Sequence, residues 1–173
     1  MATQDFGKQD IVVANTGMEV AGQPILETVE AEFARVFAVN VEGVYFTLPK
    51  AAKYVADNGR IIYVGSSSTA LAVPGPGLYS GSKMAPRLWV EVLATEIGHR
   101  GITVNSILPT GIEGAGVFKE LPPNGSLRKM VIANSQRQRM GTVNVADALE
   151  RLAGHLSSFV SGQHLLVTDG ASY

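Results

Sequence analysis

The stretch Gly65–Lys83, GSSSTALAVPGPGLYSGSK, groups polar side chains whose spacing suggests shared chemistry. Just before it, Arg60-Ile61-Ile62-Tyr63-Val64 reads as a strand, which brings Ser66 to a strand's carboxyl end. Pro74-Gly75-Pro76-Gly77 reads as a loop that folds the chain back onto the start of the next helix. If that helix opens near Tyr79, Lys83 sits one turn further along the same face, beside the phenol. A neighbouring cation and a helix N-terminus both favour phenolate, and would bring a tyrosine down from its usual pKa of ~10 toward neutrality. Tyr79 would then work as a general acid/base while Ser66 holds the same substrate oxygen. A Tyr-x-x-x-Lys pair alone is common on helix surfaces. The serine, the Gly/Pro loop and the following helix are what give this one its chemical meaning.

On either side the chain alternates strands and helices. Asp10-Ile11-Val12-Val13-Ala14 has the nearly continuous apolar pattern of a parallel strand covered on both faces, and it ends at Asn15-Thr16-Gly17. Thr28 is the expected N-cap of a helix with Glu30 and Glu32 in its first turn and Phe33, Val36 and Phe37 on its apolar face. A helix over Val44–Ala56, with Leu48, Ala51, Ala52 and Val55 in one stripe, should stop at Asn58-Gly59. Beyond Tyr79, the residues Met84, Leu88, Trp89, Val92, Leu93 and Ile97 make an apolar surface wider than one buried stripe needs, which fits a helix covered by a partner subunit on its far side. A strand is expected over Ile102–Leu108, a helix over Val145–Leu156 and a last strand over His164–Thr168. The glycines of Thr110–Gly116 suggest a phosphate cradle, but Pro122-Pro123-Asn124-Gly125 interrupts the helix such a loop requires. A mobile flap at about 112–140, lined by Val117, Phe118, Leu121, Met130 and Val131, is the better reading.

These residues together resemble the short-chain dehydrogenase/reductase family, whose serine, tyrosine and lysine have the spacing of Ser66, Tyr79 and Lys83 on a Rossmann-type sheet. Asn40-Val41-Glu42-Gly43 is similar to the family's Asn-x-x-Gly element, and Asn15-Thr16-Gly17 matches in part its Asn-Asn-Ala-Gly strand end, with Ala14 in place of the first asparagine. Pro109-Thr110-Gly111-Ile112-Glu113-Gly114 occupies the place of Pro-Gly-x-x-x-Thr, with Thr110 for the glycine and Gly114 for the threonine. The resemblance implies an α/β fold, a partial doubly wound parallel sheet of Rossmann type. It implies hydride transfer between NAD or NADP and a small carbonyl or alcohol substrate. Tyr79 would be the acid/base, Ser66 would position the substrate oxygen, Lys83 would lower the tyrosine pKa and bind the nicotinamide ribose, and Asn40 would serve a proton relay. Asn15, Thr16, Gly17, Pro109, Gly111 and Ile112 would line the cofactor, together with Tyr79 and Lys83. A homodimer or homotetramer is also implied.

Composition narrows the alternatives. The chain has 173 residues, 46% of them hydrophobic, which suits one domain with a real core. The absence of cysteine excludes disulfides, thiolate catalysis and cysteine zinc sites. The formal net charge is −1 and the 14 basic residues form no long run, so nucleic acid and anionic membrane are not expected partners. Arg137 and Arg139 read as solvated loop charges, and His99, His155 and His164 lack metal-ligand spacing, so no metal site is expected. Met1-Ala2-Thr3-Gln4-Asp5 does not read as a signal peptide, and no apolar run approaches the ~18 residues of a spanning helix. A cytoplasmic protein is the expectation.

The family's Thr-Gly-x-x-x-Gly-x-Gly loop and its first βα units find no match here, a shortfall of roughly two units at about 30 residues each. With it go the phosphate-binding helix N-terminus and the residue that selects NAD or NADP. A fragment of a longer enzyme, a truncated product and a chain completed by association all fit this pattern. The alternative function is accordingly a catalytically incompetent relative acting as a binding or structural subunit.

Overall fold

The computed structural model describes Asp5, residues 7–20 and residues 22–171; the polar start at Met1–Gln4 lies outside them. Four strands, β1 (Gln9–Ala14), β2 (Val55–Val64), β3 (Thr103–Pro109) and β4 (His164–Val167), form one sheet in that order. All neighbours are parallel, with Val12 opposite Ile61, Ile61 opposite Val104 and Ile107 opposite Leu165. Parallel neighbours require crossovers, and helices supply them: α1 (Glu30–Phe37), α2 (Gly43–Tyr54), α3 (Gly77–Ile97), α4 (Ser126–Asn134) and α5 (Asn144–Ala153).

The strand period of two distributes these helices over both faces. Ile61, Tyr63 and Val104 point to one face, where they pack with Val44, Leu48 and Ala52 of α2 and Val90 and Leu93 of α3. Ile62 and Ile107 point to the other and meet Val145 and Leu152 of α5. Each such buried aliphatic side chain contributes about 1.5–3 kcal/mol by leaving water. The α/β doubly wound sheet expected from the sequence is therefore present.

Three local expectations are corrected. The strand expected from Arg60 begins at Val55, directly after α2, and Gln9 pairs with Val55 while Ile11 pairs with Arg60. Asn58-Gly59 thus forms a bulge within the paired strand instead of ending the helix. Asn58 is at φ 63°, and a Cβ on Gly59 would lie 2.8 Å from the Asp10 carbonyl oxygen. Thr28 does not cap α1: Val29 is the N-cap residue, and the Thr28 hydroxyl turns back to the Pro24 carbonyl at 3.5 Å. β1 is not covered on both faces. Among the described residues it is the edge of the sheet, with Ile11 48% and Val13 39% exposed.

Candidate active site

The site is assembled at the carboxyl ends of β1, β2 and β3, where open α/β sheets bind ligands. Between α1 and α2 the chain makes a π turn over Ala38–Glu42, and its wider ring turns Asn40 inward. Asn40 is fully buried, and its Nδ2 donates to the Met18 carbonyl at 2.7 Å and to Ser82 Oγ at 2.9 Å. Its Oδ1 accepts from the Met18 N–H at 2.8 Å, and Ser82 Oγ donates onward to the Tyr79 carbonyl at 2.7 Å. One amide therefore ties the loop after β1 to the N-terminal part of α3. Neither Met18 nor Ser82 carried a signal in the sequence reading.

Lys83 lies on α3 and is 3% exposed. Its ammonium donates to the Val64 carbonyl at 3.2 Å and stands 5.3 Å from the Tyr63 ring centroid and 5.9 Å from that of Tyr79. Burial pulls its pKa down to about 8, while the Glu19 carboxylate pulls the other way. Tyr79 moves up, to about 12, first through burial and then through Glu19; a hydrogen bond from the Ser66 hydroxyl opposes this. The expected shift of the phenol toward neutrality is thus reversed, because desolvation and a neighbouring carboxylate outweigh the Ser66 hydrogen bond. Tyr79 is a protonated phenol at neutral pH. Ser66 faces it from the end of β2, and its Oγ lies 3.0 Å from Ser68 Oγ.

The structure brings Ser66, Tyr79, Lys83 and Asn40 into one cluster and sets Gly17 against it. A Cβ on Gly17 would lie 2.8 Å from the Lys83 ammonium and 3.6 Å from Asn40 Oδ1. Asn15 and Thr16 are exposed beside it, and among the described residues the Asn15 side chain makes no tie to a neighbouring strand. Pro109 ends β3, and the Thr110 N–H donates to the Val167 carbonyl at 3.3 Å. Gly111 is required by packing rather than flexibility, since a Cβ there would meet Phe118 and Val131 at about 3.0 Å. Ile112 turns its side chain onto the α5 face of the sheet.

The segment at about 112–140 has a small core and polar ties of its own. Phe118, Val131 and Met140 form a small core, with Val117 and Leu121 packed on it, so these side chains serve the segment's own interior. Met130 is 37% exposed. Ile112 bridges Gly141 at the base, and Arg128 pairs with Glu113 while donating to the Phe118 carbonyl at 3.0 Å. At the far end Ser135 Oγ donates to Asp169 at 2.8 Å. Arg137 and Arg139, read as solvated, both pair with Asp169, whose carboxyl is held below the usual range by Ser135 and the two arginines.

The residues present fit a nicotinamide ribose. Lys83 spends one of its three ammonium donors on Val64, and the backbone after β1 reaches it only because Gly17 has no side chain. A reduced nicotinamide held there would supply a hydride.

Comparison with known proteins bears on the family and the fold. Residues 1–172 match the family model described as Enoyl-(Acyl carrier protein) reductase. The chain is 34% identical over 182 residues to Elsinochrome reductase 1 of Elsinoe fawcettii, an alignment that covers 99% of this chain and 67% of that protein. It is 33% identical to Versicolorin reductase stcU of Emericella nidulans, across 98% of this chain and 68% of the relative. Among solved structures, a short-chain dehydrogenase/reductase from Serratia marcescens superposes with a TM-score of 0.87 at 28% identity, covering 98% of this chain and 69% of that one. The angucycline C-6 ketoreductase LanV with bound NADP gives 0.88 at 28% identity, covering 98% and 65%. The fold and cluster define a Rossmann-type oxidoreductase. The chain belongs to the short-chain dehydrogenase/reductase family, and it spans about two thirds of the length of the relatives it matches.

Proposed function

We propose that this chain carries the proton-transfer centre of an NAD(P)-dependent carbonyl reductase acting on a small ketone or aldehyde. The observation that carries this reading is the meeting of Ser66, Tyr79 and Lys83 at the sheet's carboxyl end, with Asn40 buried behind them. In the direction of reduction, the substrate oxygen accepts a hydrogen bond from Ser66 Oγ and the proton of Tyr79 Oη. The raised Tyr79 pKa keeps that proton in place at neutral pH until negative charge develops on the oxygen. Lys83 binds the ribose hydroxyls and stabilises the phenolate left after transfer. Asn40 holds the geometry and, through its π turn, the backbone at which a proton relay from Lys83 would continue. Asn15, Thr16, Gly17, Pro109, Gly111 and Ile112 border the cofactor's nicotinamide half, and the segment at about 112–140 covers the substrate.

The names of the relatives support a reductase, and the bound NADP of LanV favours NADP over NAD. Among the described residues no helix is long and apolar enough to cross a membrane. The chain would work as a homo-oligomer joined through α2 and α3. A second reading, a binding or structural subunit without turnover, would rest on the exposed apolar residues Tyr45, Phe46, Leu88 and Val92.

Calorimetric titration with NADPH and with NADH tests the first reading. Saturable binding, tighter for NADPH, is expected. A folded protein that takes up neither cofactor counts against the first reading.

A further inference from the structure

Tyr63 is a titratable group of this site that the proposed mechanism leaves unused. It stands on β2 shortly before Ser66, fully buried, and points to the sheet face on which α3 packs. Its neighbours in register are Ala14 of β1 and Ser106 of β3, both small, which leaves room for a ring between them. Gly65 extends that room, since a Cβ there would lie 3.3 Å from Tyr63 Cε1 and 2.6 Å from Leu108 Cδ2. The ring is therefore held in place, and the Lys83 ammonium rests over it at 5.3 Å from the centroid. We propose that Tyr63 is a positioning residue for Lys83: its π face seats the ammonium beside Tyr79 and favours the charged form. The consequence for catalysis rests on the carbonyl-reductase reading above.

One strand end grips the cation twice. Successive residues of a strand face opposite ways, so Val64 turns its side chain to the α5 face and offers Lys83 only its carbonyl, while Tyr63 offers its ring. From another side the backbone at Gly17 closes in, where a Cβ would lie 2.8 Å from the Lys83 Nζ and 3.4 Å from its Cε. Three ionisable groups bear on the ammonium: Tyr63 from β2, Tyr79 from its own helix, and the Glu19 carboxylate from the loop after β1. Burial penalises the cation, and the negative face of an aromatic ring returns part of that loss, more in a desolvated site than at a surface. The Tyr63 hydroxyl is buried and makes no hydrogen bond among the described residues. The ring, rather than the hydroxyl, is thus the part of Tyr63 that serves Lys83.

The test reads the titration of Lys83 directly, by NMR of the protein carrying isotope-labelled lysine, with the Lys83 signal assigned by its loss in Lys83→Met. Three proteins are compared: the wild type, Tyr63→Phe, and a variant with trifluorophenylalanine at the same position. That analogue keeps the shape of a phenyl ring but removes most of the negative charge from its face, so packing is preserved while the attraction is lost. Tyr63→Phe should titrate within about 0.3 pH units of the wild type, and the fluorinated variant should titrate lower by about one pH unit. In NADPH-dependent ketone reduction the alkaline limb of the pH profile should move down in the same order. An unshifted Lys83 midpoint in the fluorinated variant overturns the proposal. So does a Tyr63→Phe midpoint that falls as far as the fluorinated one, since the hydroxyl would then carry the effect. A Lys83 midpoint that follows the ring without turnover of any ketone upholds the role of Tyr63 and counts against the carbonyl-reductase reading.

Discussion

Lys83 is a cation held in the interior by one carbonyl and two aromatic rings, and its titration should be visible in the stability of the protein. Its folded pKa of about 8 lies below its ordinary 10.5, so between these values the unfolded chain binds more protons than the native one. Unfolding free energy therefore rises with pH through that window, and the gain is lost as pH falls through about 8. Tyr79 has the opposite sign. Its folded pKa of about 12 exceeds its ordinary 10.0, so its contribution is full below pH 10.0 and lost as pH rises through about 12. Urea unfolding should accordingly show stability climbing from about pH 8 to 10, and Lys83→Met should remove the climb; a variant that keeps it contradicts the burial argument. Asn40→Ala tests the clamp behind the cluster. It strands the Met18 N–H and C=O, a loss of about 1–3 kcal/mol that the same urea curves would register. An unchanged midpoint would mean that the clamp contributes nothing to stability.

Elements differ in how openly the sequence announced them. Strands β2 and β3 are apolar runs buried between helix layers, and the stripe of α2 at Leu48, Ala51 and Ala52 faces the sheet as its 3.6-residue period requires. Ser66, Tyr79 and Lys83 were readable because strand, loop and helix follow one another directly in the chain. Glu19, Met18 and Ser82 were not, since they meet through a loop with no period and across large separations in sequence. The direction of the Tyr79 shift went unread for the same reason, as it depends on how deeply the phenol is buried and on Glu19. Asn58-Gly59 misled because the same pair can end a helix or form a bulge, and only pairing with β1 decides. The ties within the segment between Ile112 and Gly141 had no sequence signal because they are made by long polar side chains. Arg128 is the central one, so Arg128→Met should free the Phe118 carbonyl and speed proteolytic cleavage within this segment severalfold, with the sheet remaining folded. Equal cleavage rates would show that the Phe118, Val131 and Met140 core suffices without it.

For the whole molecule the main question is what covers its apolar surface. Tyr45 and Phe46 of α2 stand exposed next to Leu88 and Val92 of α3, and Tyr45 packs edge-on against Trp89 at 5.0 Å. Such a face suits a second copy of the chain. In sedimentation experiments, the paired substitutions Phe46→Glu and Val92→Glu should shift the protein toward monomer by at least about tenfold in dissociation constant, as charge buried in an apolar interface requires. Unaltered association would place the interface elsewhere, with the β1 edge the next surface to examine.

All of this depends on one chemical claim, that Tyr79 transfers the proton while its surroundings hold cofactor and substrate. Removal of a single hydroxyl tests it most directly. Ketone reduction by Tyr79→Phe, measured alongside NADPH affinity, should fall by about two to four orders of magnitude while the cofactor still binds. Turnover near the wild-type rate in that variant would contradict the account.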